Sequence, residues 1–357
     1  MNNLFTYGID EYPALMDSLG QPTFRAGQLA RWLWQRDAAG YDAMTDLPKE
    51  LRARLASAAP LTRAHVATRQ VARDGTRKYL LAFADGVSVE CVGIPGRDGR
   101  LTVCVSTQAG CALGCVFCAT GQGGLTRDLL PGEIAEQAVV VGRDFQRRVS
   151  HVVTMGQGEP FLNYDATLLG LRIINATDGL GVGARHITLS TAGIIAGIER
   201  LANEPEQFTL AVSLHSAIQT QRDELMPGLR GQSLERLHTA LAQYYEHTHR
   251  RPSLEYTLIA RQSDTDAQLD ALADFARSLG AHVNLILLNK MPANTNPIGD
   301  DAPQRPVGTP QRSTYIPLSE NHANEICARL RTAGVEATLR ASRGADIDAA
   351  CGQLAAR

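Results

Sequence analysis

The sequence predicts an α/β protein in which a small N-terminal helical domain and a connecting β-hairpin precede a mostly parallel sheet, open or closed into a barrel. Three observations carry this reading. From Leu101 onward, β-type and helix-type segments alternate to the end of the chain, the pattern of a parallel sheet flanked by helices. The first stretch of about 60 residues carries apolar residues at helical spacing. Between the two, "RKYLLAFADGVSVECVGIP" reads as two β-type runs joined at Asp85-Gly86, a strong turn signal. A chain of 357 residues suits one large α/β unit plus an appendage. The expected boundaries are a helical domain over 1–65, a hairpin linker over 66–96 and the strand–helix unit over 97–357.

The elements follow in order. "YPALMDSLG" ends at Gly20, a natural helix stop. "FRAGQLARWLWQRD" places Leu29 and Leu33, with Phe24 and Ala26 a turn earlier, on one side. "LPKELRARLASA" begins with a proline at its first turn. Strands are expected over 101–107, 151–155, 186–190, 208–215, 254–259, 282–288 and 335–341. Helical segments such as "PGEIAEQAVVVGRDF" and "DAQLDALADFARSL" fall between them. The stretch 289–317 breaks the rhythm with Pro292, Pro297, Pro303, Pro306, Pro310 and Pro317 and no periodicity. A connection of that length is usually functional or mobile.

Composition is that of a globular protein, 44% hydrophobic and 20% charged. No apolar run reaches the ~18 residues of a membrane span. The start, "MNNLFTYGIDEYPAL", lacks the basic end and apolar core of a secretory signal, so a cytoplasmic protein with reduced thiols is expected. The seven cysteines, odd in number and unevenly spread, then argue for metal or redox chemistry rather than a disulfide framework. Net charge is −2, but Gln21 to Lys78 holds 11 Lys/Arg against 5 Asp/Glu. That end of the chain suits a polyanion, although a solvated helical face explains the same charges.

Polar residues collect just after the expected strands, where α/β barrels build their sites. "CALGCVFC" (111–118) follows the first strand, "GQGEP" (156–160) the second, and Ser190 with Thr191 ends the third. Ser213 and His215 end the fourth, and Asn289 follows the sixth. Singly, Ser190 also reads as a cap and His215 as a core histidine. The cysteines are spaced C-x₃-C-x₂-C. Structural zinc takes four ligands, and no fourth Cys or His lies close in sequence. Three thiolates can instead hold three irons of a four-iron, four-sulfur cluster and leave one iron open to a chelating ligand. "GLGVG" (179–183) precedes a strand and lacks the spacing of a dinucleotide loop.

C-x₃-C-x₂-C with an aromatic before the last cysteine, placed after the first barrel strand, resembles the signature of the radical S-adenosylmethionine (AdoMet) superfamily. "RGADIDAACGQL" (343–354), "CVSTQAGCALGCVFCATGQGG" (104–124) and "FRAGQLARWLWQRDAAGYDAMTDLPKELR" (24–52) resemble the RlmN/Cfr family of RNA adenosine methyltransferases over nearly the whole chain. The resemblance implies a partial (β/α)₆ radical-SAM barrel, an RNA-binding-type domain at 1–65 and a C-terminal methyl-carrier segment. It implies a [4Fe-4S] cluster on Cys111, Cys115 and Cys118, and AdoMet contacts from Gly158, Glu159, Ser190, Ser213, Leu214, His215 and Asn289. It implies two AdoMet per turnover: one methylates Cys351, and the second yields the radical that takes hydrogen from that methyl. The carbon radical adds to the base, and Cys104 releases the protein–RNA adduct through a transient disulfide with Cys351. Glu90 or Cys104 removes the ring proton. The implied substrate is adenine C2 in 23S rRNA before full ribosome assembly, with transfer RNA for the RlmN branch. An electron donor such as flavodoxin or ferredoxin is also implied. Cys91 and Cys327 match no family role and read as buried structural thiols.

Gln157 stands where methionine is common in that family, and "ARQSDT" (260–265) departs from its usual turn. These departures bear on substrate choice. Two other readings remain: a Cfr-like enzyme acting at C8, and a non-catalytic RNA- or ribosome-binding protein with structural zinc.

Overall fold

The computed structural model describes residues 3–290 and 315–355. Most of the proline-rich stretch, from 291 to 314, lies outside the described residues. Three helices open the chain: α1 (Tyr12–Ser18), α2 (Phe24–Trp34) and α3 (Lys49–Ala58). Gly20, at φ +60°, turns the chain out of α1. Helix α2 buries Leu29, Leu33 and Trp34, and α3 buries Leu51 and Leu55. Phe24, grouped with that face by spacing, is instead 63% exposed, because it sits at the first position of α2.

The hairpin is larger than the sequence predicts. Strands β1 (His65–Val71), β2 (Arg77–Ala82) and β3 (Ser88–Pro95) form an antiparallel meander. All seven residues of β1 are exposed, so no apolar alternation announces it. Strand β3 then pairs antiparallel with β4 (Leu101–Cys104), which makes the meander part of the main sheet. After β4, a small ladder of β5 (Gln108–Gly110) and β6 (Leu125–Asp128) brackets the cysteine loop.

From β4 onward the main sheet is parallel through β7 (His151–Val153), β8 (Ile187–Thr191), β9 (Thr209–Ser213), β10 (Ser253–Leu258), β11 (His282–Leu287) and β12 (Ala337–Arg340). The order is β1-β2-β3-β4-β7-β8-β9-β10-β11-β12, so the barrel is open. Six strand–helix units are completed by a seventh strand, β12. The helices joining them are α4 (Pro131–Phe145), α5 (Tyr164–Asn175), α6 (Ile195–Ala202), α8 (Leu234–Thr248), α9 (Asp266–Leu279) and α10 (Glu320–Thr332). Short helix α7 (Gln219–Leu225) lies between β9 and α8. Ser233, Thr265 and Ser319 cap α8, α9 and α10 by accepting a backbone N–H. Several strands end earlier than the sequence suggests, at Cys104, Val153 and Ser213. The residues left over form the rim.

One apolar core runs from Leu4 and Trp34 through the barrel to Leu330. The helical unit is seated on α4: a side chain at Gly132 would meet the Phe5 ring within 2.5 Å. Buried Glu136 of α4 accepts the Ala64 N–H (3.0 Å) and pairs with Arg63 (3.4 Å). Asp144, at the end of the same helix, receives Arg77 and the Tyr79 hydroxyl from β2, each at 2.7 Å.

Candidate active site

The cysteine loop takes its shape from glycines and from α7. Gly110, at φ +82°, leaves β5 in a conformation that favours glycine, and a Cβ there would lie 2.0 Å from the Gly124 carbonyl. Val116 donates its N–H to the Leu225 carbonyl (3.0 Å), and the Gly228 N–H reaches the Leu113 carbonyl (2.9 Å). Cys111, Cys115 and Cys118 all line one cavity at the strand ends. Among the described residues, no three His, Cys, Asp or Glu side chains converge on a point that would hold a single metal ion. Burial pushes the Cys111 thiol up to about 12 and Cys115 well above its ordinary value. Thiolates there therefore need a cationic group in the cavity to offset their desolvation.

The "GQGEP" turn forms the next wall. A side chain at Gly156 would strike the Val105 backbone at 2.7 Å, and Gly158 turns at φ +99° against the Gln108 backbone. The Glu159 carboxylate is already engaged. It accepts from the Thr191 hydroxyl (2.7 Å), the Ala192 N–H (2.6 Å) and the Phe161 N–H (2.9 Å). Burial raises its pKa, and those three donors oppose the rise. Glu159 thus locks the β7 and β8 ends together. Gln157 is buried as well: its side chain accepts the Glu90 N–H (3.2 Å), which ties the β7 turn to the meander.

Ser190, Ser213, His215 and Asn289 line the same cavity. His215 sits at φ +55°, with its ring edge-on to Phe117 at 4.7 Å. Its Nδ1 accepts the Thr257 N–H (3.1 Å), which leaves the proton of the neutral ring on Nε2. Burial holds its pKa down at about 3, so the ring is neutral across the physiological range. Leu214 differs from its neighbours. Its side chain is fully buried in the main core, and it does not line the cavity.

The C-terminal segment closes the site. After β12 it crosses the β1–β2 turn, where Asp74 accepts the Gly344 N–H and Asp346 the Arg73 N–H. It then docks on the cysteine loop: the Ala119 N–H meets the Gly352 carbonyl (2.7 Å) and the Thr120 hydroxyl the Leu354 carbonyl (2.7 Å). Asn289 donates to the Cys351 carbonyl (3.2 Å). Exposed Cys351 lines the cysteine cavity and also an adjoining cavity that contains Cys104. Both thiols are free. Burial raises the Cys104 thiol to about 12. Glu90 lines neither of these two cavities. It is buried on β3, pairs with Lys78 (2.9 Å) and accepts the Ala355 N–H (2.6 Å), so it clamps the C-terminal segment.

Two residues at the site escape the sequence reading. Arg340, ending β12, contacts Met155 Sδ (3.4 Å) and Glu255 (3.3 Å) beside the two thiols. The rule that picks polar residues at strand ends would have found it. Arg222 in α7 is 1% exposed. Nothing in "QTQRDEL" distinguishes it from a surface helix.

Three cysteine thiols on one loop, an open barrel and a cavity walled by the next strand ends are the arrangement expected of a radical-SAM site. The profile described as "Radical SAM superfamily" matches residues 105–276, and "Ribosomal RNA large subunit methyltransferase N-terminal domain" matches residues 2–61. The chain is 42% identical over 344 residues to the probable dual-specificity RNA methyltransferase RlmN of Thermosynechococcus vestitus, covering 96% of this chain and 95% of that one. It is 44% identical over 352 residues to the protein of that name in Moorella thermoacetica, covering 96% and 94%. The crystal structure of a radical SAM methyltransferase from Sphaerobacter thermophilus matches over the whole of both chains, with a TM-score of 0.89 and 41% identity. The chain belongs to the RlmN family of radical-SAM RNA methyltransferases.

Proposed function

We propose that the protein methylates C2 of an adenosine in 23S rRNA, and of transfer RNA, by a relay through Cys351. The observation that carries this reading is the position of Cys351, which lines the cavity of Cys111, Cys115 and Cys118 on one side and that of Cys104 on the other. These three cysteines would hold a [4Fe-4S] cluster. The rim of Gly158, Ser190, Ser213, His215 and Asn289, with the backbone at Leu214 and Glu159, would hold AdoMet. Bound there, the cluster and AdoMet supply the one-electron chemistry that an electron-poor ring carbon requires. The electron comes from a carrier of the flavodoxin or ferredoxin class.

The residues divide the remaining work. Cys351 accepts a methyl from the first of two AdoMet by displacement, with its thiolate as nucleophile. Burial raises the Cys351 thiol, and the adjoining Arg340 cation opposes that rise in favour of the thiolate. The same methyl later loses a hydrogen, and its carbon bonds to the base. The adduct would return one electron to the bound cluster and give up its ring proton. Cys104 then attacks the Cys351 sulfur, the sulfur–carbon bond breaks toward the base, the freed carbon takes a proton, and the new disulfide frees the product. Neutral His215 offers Nε2–H as a fixed donor into the cavity. Glu90 is held by Lys78 and the Ala355 N–H, which favours Cys104 as the group that meets the ring proton. Digestion of unmodified 23S rRNA treated with reconstituted protein, reductant and AdoMet tests the assignment by mass spectrometry. The expected nucleoside is 2-methyladenosine. Finding 8-methyladenosine, or none, refutes it.

A further inference from the structure

We propose that Arg222 is the buried counter-ion of the iron–sulfur cluster, set behind the cysteine loop to balance its thiolates and ease its reduction. The inference rests on the assignment of Cys111, Cys115 and Cys118 as the cluster ligands.

Arg222 is among the largest fully buried side chains. Its Nη2 donates to the Ala192 carbonyl at 2.5 Å, while Nε has no hydrogen-bond partner. Among the described residues no carboxylate lies within ion-pair distance of it; the neighbouring Asp223 attracts it without contact and accepts from Gln219 (2.8 Å). A buried guanidinium held by one carbonyl is expensive, and an apolar side chain of the same volume would fill the space at less cost. Such a charge persists where an anion meets it.

The anion belongs to the loop that α7 packs against. That helix is bonded to the cysteine loop through Val116 and Leu225. Leu113 and Val116 share a small core with Leu225 and Met226. The Ala192 carbonyl that holds the guanidinium belongs to a residue lining the cavity of Cys111, Cys115 and Cys118. Three thiolates outweigh the positive charge of an oxidised cubane, and each electron added makes the assembly more negative. The buried carboxylate of Glu159 adds charge of the same sign. A fixed cation in this dry position lowers the cost of adding the electron, whatever one-electron reductant delivers it.

The test uses the anaerobically reconstituted full-length protein. Wild type, Arg222→Gln and Arg222→Lys are titrated with dithionite and redox mediators, and the reduced cluster is followed by electron paramagnetic resonance. Arg222→Gln is expected to lower the reduced-to-oxidised ratio at a fixed potential by about tenfold to a hundredfold, ~60–120 mV for a one-electron couple. Arg222→Lys keeps the charge and stays near wild type. A Gln variant that titrates with wild type, or a Lys variant shifted as far as Gln, overturns the proposal. Iron retained by Lys but lost by Gln supports it; iron or fold lost by both overturns it, since shape rather than charge is then what matters. Iron analysis separates the underlying assignment: a wild-type protein without four irons, or a triple Cys→Ala variant at 111, 115 and 118 that keeps them, refutes the ligand set and the counter-ion with it.

Discussion

Cys351 combines two properties that seldom coincide. It is exposed, yet it is held by an ordered segment whose carbonyls at Gly352 and Leu354 are bonded to the cysteine loop. A thiol so placed lines two cavities, as the proposed relay requires. At this scale the account makes a direct prediction. Cys104→Ala keeps methyl transfer and carbon–carbon bond formation but removes the attacking thiol, so a covalent protein–RNA adduct accumulates. Denaturing gels should show a nuclease-sensitive slow band in that variant and none in the Cys104→Ala/Cys351→Ala double variant. The rim residues were legible in the sequence because each follows a strand in a chain of alternating elements, whereas Cys104 and Cys351 were reached only through the family resemblance. Arg222 was not. Its burial is imposed by the wedging of α7 against the cysteine loop, a tertiary fact with no local signal. Glu90 was named from the resemblance as a candidate base and not as a clamp, since its partners Lys78 and Ala355 come from other parts of the chain.

Elements position these residues, and two joints carry most of that duty. The first is the β5–β6 ladder under the cysteines. Gly110→Ala would place a methyl 2.0 Å from the Gly124 carbonyl at φ +82°. The expected cost is about 1–3 kcal/mol. Iron per chain should fall although no ligand has changed; full iron retention with an unchanged melting temperature would contradict the strain. The second is the seam at α4, where burial raises Glu136 to about 7 against the attraction of Arg63 and the Ala64 N–H. A folded-state pKa above the unfolded value means the folded protein binds the extra proton between about pH 4.5 and 7. Stability from this group is therefore complete below that window and is lost as pH rises through it, by at most ~3 kcal/mol. Glu136→Gln should flatten the fall in melting temperature between pH 5 and 8. A wild-type protein that gains stability over that range relative to Gln reverses the sign and sinks the argument. Strand β1 shows where element prediction stops: its pairing with β2 is set by backbone bonds, not by a buried face.

Across the whole molecule, one continuous sheet joins the meander to the barrel, so the C-terminal segment can bridge from the β1–β2 turn to the cysteine loop. Residues 21–78, which span α2, α3, β1 and the start of β2, carry 11 Lys/Arg against 5 Asp/Glu in a chain that is otherwise acidic. Exposed Lys49 and Arg54 on α3 suit contact with phosphates. Their double alanine variant should weaken RNA binding and shallow its dependence on log salt by about 0.7–0.9 for each phosphate no longer neutralised, with AdoMet cleavage unchanged. An unaltered salt slope would remove α3 from the RNA surface. The most direct test of the relay counts hydrogens in the product. With AdoMet deuterated at its three methyl positions, a methyl that rests on Cys351 and gives up one hydrogen before joining the base arrives with two deuterium atoms. Mass spectrometry of the digested RNA should find that doubly labelled methyladenosine. A product that retains all three would show transfer without hydrogen loss and contradict the relay.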